Sequence, residues 1–207
     1  MPRSFALSAC TVPGLRRYRW PALACASLVC IRALAADTDS ELQRVLDTLA
    51  RVKHGHVLFQ EQIESPKLKR PLRTSGELFF DAPDRLEKRT LSPTPDDLVL
   101  EGDIVTMVRG AQRRSFPLSQ YPQLRPLLTG IRATLEGDAE TLESNFRLAL
   151  DHSAEKWTLT LRPPENETSP TFESVVIRGS AGRISEVIVE RFRGERSRMT
   201  FTEPDTS

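Results

Sequence analysis

Few residues in this 207-residue chain are of types that do chemistry, and they are scattered. His54 and His56 stand two apart in KHGHV, and His152 is the only other histidine. Two imidazoles on neighbouring strand positions could share a metal, but a zinc site needs at least three protein ligands and no third is suggested here. The plainer reading is a turn residue beside a strand residue. Carboxylate pairs occur at Asp96-Asp97, Asp81/Asp84 and Glu61/Glu64. General acid–base work would require one of them in a cleft that perturbs its titration, and nothing in the pattern places one there. The chain has no G-x-S-x-G elbow, no phosphate-binding G-x-x-x-x-G-K, no G-x-G-x-x-G and no H-E-x-x-H. No catalytic residue, metal or cofactor is therefore expected, and the protein is not expected to be an enzyme. Two basic stretches remain. KLKRPLR (67–73) reads as a solvated connection between strands that can also meet anionic lipid headgroups or an acidic partner. RFRGERSR (191–198) reads as the exposed side of a terminal hairpin.

The N-terminus has its own character. Arg3, Arg16, Arg17 and Arg19 precede the apolar run Pro21–Leu34, and no acidic residue occurs before Asp37. Ala33-Leu34-Ala35 completes a small-x-small cleavage pattern, so residues 1–35 are expected to be a secretory signal peptide. The run is about 14 residues, short of the ~20 that span a bilayer; a retained anchor is the alternative. Cys10, Cys25 and Cys30 all lie in this leader, which leaves residues 36–207 without thiolate chemistry or disulfides. That segment holds 24 basic against 28 acidic residues, a net charge of −4 that argues against nucleic acid as a partner. Its length suits one domain, 36–207, burying roughly 70% of its unfolded surface.

The elements that must position anything functional can be read from periodicity. In DSELQRVLDTLARV, Leu42, Val45, Leu46, Leu49 and Val52 recur at helical spacing, with Asp39 or Ser40 to cap and Gly55 to end the helix. Strands follow: HVLFQEQIE, RTSGELFF, DRLEKRTL and DDLVLEGDIVTMVR, the last turning at Glu101-Gly102-Asp103. Between Tyr121 and Leu135, Leu124, Leu127, Leu128, Ile131 and Leu135 share one helical face, with Pro126 near the start and Gly137 past the end. Asp138 can cap a shorter helix through Leu142. Strands resume with NFRLALD, KWTLTLRP, FESVVIRG, RISEVIVERF and SRMTFTEP.

The expected fold is α+β: one strongly curved antiparallel sheet with helices packed on one face. KWTLTLR alternates cleanly, but LFF (78–80), SVVI and VIV do not. Such runs fit strands that carry apolar side chains on both faces. Single surface hydrophobics are common enough to explain LFF as well.

With the elements in this order, four stretches resemble the LolA-type periplasmic carriers of outer-membrane lipoproteins. They are Phe59-Gln60-Glu61-Gln62; Thr74-Ser75-Gly76-Glu77-Leu78-Phe79-Phe80 running to Pro83; Arg85–Leu91; and Met199-Thr200-Phe201-Thr202-Glu203-Pro204. The likeness covers essentially the whole of residues 36–207, and PDRLEK with LEGDAETLESNF is similar to a divergent subgroup often encoded beside aryl-polyene-type pigment genes. The resemblance implies an unclosed antiparallel half-barrel with a helical lid over an apolar cavity for acyl chains. Leu42, Leu46 and Leu49 from the first helix, Phe59, Leu78, Phe80 and Leu86 from the sheet, and Leu124, Leu127, Leu128 and Ile131 from the lid would line it. Each is also what ordinary core packing would place there. The family commonly carries an arginine, held to keep the lid shut, just before the strand-ending proline; here Ala82 stands in its place. Lys88, where the family pattern is aromatic, would suit an acidic headgroup if it points inward. The implied role is a periplasmic monomer that carries lipoproteins, or a lipid-like product such as a polyene conjugate, from an inner-membrane donor protein to an outer-membrane acceptor. The alternative is a sensor or interaction module of the same fold that transports nothing.

Overall fold

The computed structural model describes residues 32–153, 155–167 and 171–204. Most of the expected leader therefore lies outside the described residues. Its last four positions, Arg32–Ala35, begin the first helix, α1 (Arg32–Ala50). That helix starts well before the expected cap at Asp39 or Ser40, because Ala33, Leu34, Ala35 and Ala36 are strong helix formers. It ends at Ala50, so Val52 stays exposed, and Gly55 lies inside the next strand rather than closing the helix. The predicted apolar face of α1 does turn inward: Leu42, Val45, Leu46 and Leu49 are all buried. Each such side chain contributes about 1.5–3 kcal/mol when removed from water.

The strands are β1 (His54–Glu64), β2 (Leu72–Asp81), β3 (Arg85–Ser92), β4 (Asp96–Glu101), β5 (Ile104–Arg109), β6 (Gln112–Pro117), β7 (Arg147–Ser153), β8 (Lys156–Arg162), β9 (Ser174–Ser180), β10 (Arg183–Arg191) and β11 (Glu195–Thr202). They form one antiparallel sheet in the order β6-β5-β4-β3-β2-β1-β11-β10-β9-β8-β7, with β6 and β7 as unjoined edges. The sheet is thus an unclosed α+β half-barrel, as expected. Strand β6 was missing from the expected set. Its sequence, QRRSFP, has no alternation to read, and β5 is the one strand it pairs with among the described residues.

Register sorts the side chains onto two faces. Phe59 opposes Gly76 on β2 and Phe201 on β11, while Phe80 opposes Leu86 and Leu86 opposes Leu100. This inner face continues through Val187, Ile177 and Leu159 on β10, β9 and β8. The outer face is apolar in part. Val189 faces inward and Ile188 outward, yet both are buried. In LFF, Leu78 and Phe80 face inward. Phe79 faces outward, stacked on His56 with ring centroids 4.3 Å apart and the Arg89 guanidinium 5.1 Å from its ring. The apolar run therefore serves two faces.

Between β6 and β7 the chain forms a single turn of 3-10 helix (Leu118–Gln120), then α2 (Arg125–Glu136) and α3 (Ala139–Asn145). Pro126 sits in the first turn of α2, and Gly137 ends it in the left-handed conformation at φ 77°. The Asp138 carboxylate accepts from the Thr141 amide and starts α3, as the sequence indicated.

Two apolar clusters result. In the larger, α1 joins Leu142 and Phe146 over Trp157, Leu159, Leu161, Val175, Ile177 and Val189. In the smaller, Leu100, Val105 and Leu118 pack with Leu86, Leu98, Phe116, Leu124 and Leu128. Between them Gly76 lies so close to β3 that an added Cβ would stand 2.0 Å from the Arg89 carbonyl oxygen. Gly76→Ala should therefore cost about 1–3 kcal/mol through overpacking. A lowered urea midpoint with unchanged slope would register it; an unchanged midpoint would mean the β2–β3 backbones can part freely.

Candidate functional site: the inner face between two clusters

The inner-face row of β1 reads Val57, Phe59, Glu61, Ile63, so a carboxylate occupies one step of an otherwise apolar series. Lys88 on β3 belongs to the same face, opposite Leu78 on one side and Leu98 on the other. Its ammonium lies 2.6 Å from Glu61 Oε2 and 4.9 Å from the centre of the Phe59 ring. Ser197 Oγ donates to Glu61 Oε1 at 2.6 Å, and Thr74 Oγ1 donates to Oε2 at 3.2 Å. Burial alone would raise the Glu61 carboxyl. The Lys88 charge and the hydrogen bonds from Lys88, Ser197 and Thr74 together outweigh it and hold the group below the ordinary glutamate range. Lys88 does point inward, but its charge already has a partner. Glu61 was legible only as half of a Glu61/Glu64 pair. Period-two reading of β1 separates those two and puts Glu61 among the apolar residues.

The other expected line-up divides in two. Leu42, Leu46 and Leu49 lie deep in the larger cluster, with Leu46 fully buried. Phe59 and Phe80 are buried on the inner face outside either cluster, while Leu78, Leu86 and Lys88 are half-buried. On α2, Leu124, Leu127, Leu128 and Ile131 are all half-buried, leaving apolar surface on a helix that spans both clusters. Leu127 packs against the larger cluster and Leu124 and Leu128 against the smaller.

Two contacts seat α2. At Gly130 the helix comes down on Leu161 and Phe146 so closely that a Cβ would stand 2.9 and 3.1 Å from their side chains. At its other flank Arg132 donates to the Gly102 carbonyl at 3.0 Å and lies 3.9 Å from Asp103, in the β4–β5 turn. Arg132 is thus the cation that ties the helix to the far half of the sheet, a role its neighbours in the chain do not announce. Ala82 carries no such group; its amide donates to the Lys53 carbonyl.

Other candidate chemistry is dispersed. His54 pairs with Asp81 at 2.9 Å, His56 with Glu77 at 3.3 Å and His152 with Glu41 at 3.4 Å. Among the described residues no group of three or more histidine, cysteine, aspartate or glutamate side chains is placed to hold a metal. Asp96 and Asp97, being consecutive, point to opposite faces. A recess of about 520 Å³ opens on the outer face over Val99, Ile104, Thr106 and Val108. Its charged rim is largely self-neutralised, with Arg85 within 2.8 Å of Glu87 and 3.5 Å of Glu101. The inner face is the better candidate.

The family model for outer membrane lipoprotein carrier proteins, LolA-like, matches residues 32–202. The chain belongs to this LolA-like family. Comparison with curated proteins gave no match. Among solved structures, a LolA superfamily protein from Nitrosomonas europaea is similar at 11% identity and TM-score 0.44, over 82% of this chain and 94% of that one. The MucA/MucB complex of Pseudomonas aeruginosa is similar at 13% and 0.45, over 79% of this chain and 56% of that one. An outer membrane lipoprotein-sorting protein domain from Vibrio parahaemolyticus is similar at 9% and 0.39, over 78% and 92%. Among the described residues no helix is long and apolar enough to cross a membrane.

The Glu61–Lys88 pair makes a pH prediction for this LolA-like domain. Because the folded carboxyl is depressed, its stabilisation is complete above the unfolded value of about 4.3 and is lost as pH falls through the folded value. Glu61→Gln should flatten the acid limb of the stability curve and cost about 1–3 kcal/mol at neutral pH, by leaving Lys88 half-buried and unpaired. Lys88→Met leaves the Glu61 carboxylate buried without its cation, so it should also cost stability at neutral pH and flatten the acid limb. Acid titrations followed by circular dichroism would read both; coincident curves for all three proteins would deny the pair any part in stability.

Proposed function

We propose that this protein is a periplasmic carrier that holds the acyl chains of lipoproteins, or of a lipid-like product, against its inner face and ferries them towards the outer membrane. The observation that carries the reading is the apolar surface of α2. Leu124, Leu127, Leu128 and Ile131 stay half-buried above a sheet face that presents Leu78, Phe80 and Leu86. A lid that had only to complete a core would bury these residues. Transfer from water stabilises an acyl chain by ~0.8 kcal/mol per methylene, roughly 10 kcal/mol for a long chain, so the cargo needs shielding and the carrier needs no catalytic group. Loading requires the lid to lift, and Arg132 is the contact that resists lifting on the β4–β5 side. Lys88 is proposed as the anchor for an anionic headgroup, which would compete with Glu61 for it. Leu42, Leu46 and Leu49 would join the lining only in an opened state, in which α1 moves with the lid. A donor protein at the inner membrane and an acceptor at the outer membrane complete the scheme.

A sensor or interaction module of the same fold is the second reading. The Glu61–Lys88 pair favours it, since it fills the centre of the inner face with charge already satisfied.

Native mass spectrometry of the protein purified from a periplasm without detergent, with organic extraction of the same sample, separates the two. A carrier should retain a discrete lipid or lipopeptide. Leu127→Asn with Leu128→Asn should lower its recovery several-fold while the fold persists, and Lys88→Met should do so if the cargo is anionic. Repeatedly empty protein, from cells rich in candidate lipids, would leave the interaction module. Arg132→Ala should speed lipid exchange several-fold, by removing a charge-assisted hydrogen bond of about 1.5–3 kcal/mol from the closed state. Equal exchange rates would remove Arg132 from the lid.

A further inference from the structure

The two basic stretches of the sequence, far apart along the chain, meet at one end of the sheet. The β1–β2 loop and the β10–β11 turn touch. Pro66 lies 3.5 Å from where a Cβ on Gly194 would stand, and both Ser65 Oγ and Lys67 Nζ approach Glu195, at 3.4 and 3.5 Å. Residues 64–73 and 190–196 together hold seven basic side chains against three acidic, whereas the rest of residues 36–207 holds 17 basic against 25 acidic. The positive charge of an otherwise acidic domain is thus gathered at this tip.

Most of its cations also lack a carboxylate partner among the described residues. On the outer face of the sheet, Arg85, Arg89, Arg178, Arg183 and Arg198 each lie against a carboxylate. At the tip Lys67 pairs with Glu195 and Arg196 lies 3.7 Å from Glu190. Lys69, Arg70, Arg73, Arg191 and Arg193 have no carboxylate within ion-pair reach among the described residues. Set among them are three large apolar side chains that stay exposed, Leu68, Leu72 and Phe192, at 43, 44 and 44% of full exposure. The turn that presents Phe192 passes through two successive left-handed residues, Arg193 at φ 68° and Gly194 at φ 74°. A β-carbon disfavours that conformation, so an arginine is held at the apex where glycine or asparagine would sit more easily.

We propose that this tip docks on an anionic membrane surface, with Leu68, Leu72 and Phe192 entering the headgroup region and the five unpaired cations meeting lipid phosphates. Cations alone would serve an acidic protein equally well. The exposed leucines and phenylalanine between them favour lipid, since apolar insertion and phosphate attraction act together at a bilayer interface. Position supports the same choice. The tip is carried by β2, β1, β11 and β10, the four central strands, and Leu72 pairs with Ile63 on the inner face that also bears Leu78 and Phe80. Docking there sets the end of the inner face against the bilayer.

Flotation of the full chain with vesicles tests this, with every variant compared in the same background so that any contribution of residues 1–35 cancels. Wild type should float with phosphatidylglycerol-containing vesicles, release as salt is raised, and ignore pure phosphatidylcholine vesicles. Each cation lost costs roughly fivefold in partitioning, so Lys69→Glu, Arg70→Glu and Arg193→Glu together should weaken binding at least about a hundredfold. Leu68→Ser with Phe192→Ser should weaken it roughly tenfold or more. Arg113→Glu with Arg114→Glu, on the edge strand β6, should change nothing. Thermal melts confirm folding, and Lys69→Glu alone, at an exposed site, serves if the triple variant is damaged. Absence of vesicle binding by wild type, equal binding to both vesicle types, or equal binding by all variants would overturn the proposal. So would an acidic protein that occupies the tip while vesicles do not.

Discussion

An antiparallel sheet of eleven strands, spaced ~4.8 Å apart, is roughly 48 Å across, and three helices of ~10 Å diameter laid side by side cover about 30 Å. This shortage of helical cover governs the fold. The described residues respond by forming two separate clusters, one under α1 and α3 and one beneath the start of α2, with a strip of sheet between them that belongs to neither. Curvature brings the two halves closer but does not merge them. The strip is where Phe59, Leu78, Phe80, Glu61 and Lys88 lie, and every proposal about cargo concerns what that strip does when α2 is over it.

A wholly apolar strip would invite the sheet to collapse on itself or on α2. Glu61 interrupts the apolar row of β1, and Lys88, Ser197 and Thr74 hold its carboxylate in a fixed geometry. That single carboxyl, on the central strand β1, joins β2 and β3 on one side to β11 on the other. The price is a polar island in an otherwise apolar surface; on the proposed carrier reading, a bare acyl chain would have to pass around it, whereas an amphiphile could use it.

Sequence reading reached further for some of this than for the rest, and the reason is locality. The faces of α1 and α2, the Gly137 and Asp138 signals and the run of strands are written in neighbouring residues, and the LolA-like family was legible from stretches such as FQEQ and TSGELFF. Strand β6 was not, since QRRSFP acquires strand character only by pairing with β5. Nor was the start of α1, where alanines extend the helix beyond two good capping residues. Arg132 reaching Gly102, Lys88 reaching Glu61 and Pro66 meeting Gly194 are contacts between distant segments, and no periodicity announces them. Phe79 stands between these cases: its apolar run was visible, but His56 and Arg89, the residues that cover it, belong to two other strands.

The way the chain leaves and re-enters the sheet gives the molecule a mechanical character. It departs from one free edge at β6 and returns at the opposite free edge as β7, and the link between them is the short stretch carrying α2 and α3. The arrangement is that of a bow and its string. Curvature of the bow and tautness of the string are a single variable, so space beneath the helices cannot be gained without flattening the sheet or slackening the link. A few residues inserted on either side of α2 would alter the capacity of the inner face while leaving every one of its side chains untouched. Relatives with the same lining could then differ in the bulk of what they hold through linker length alone.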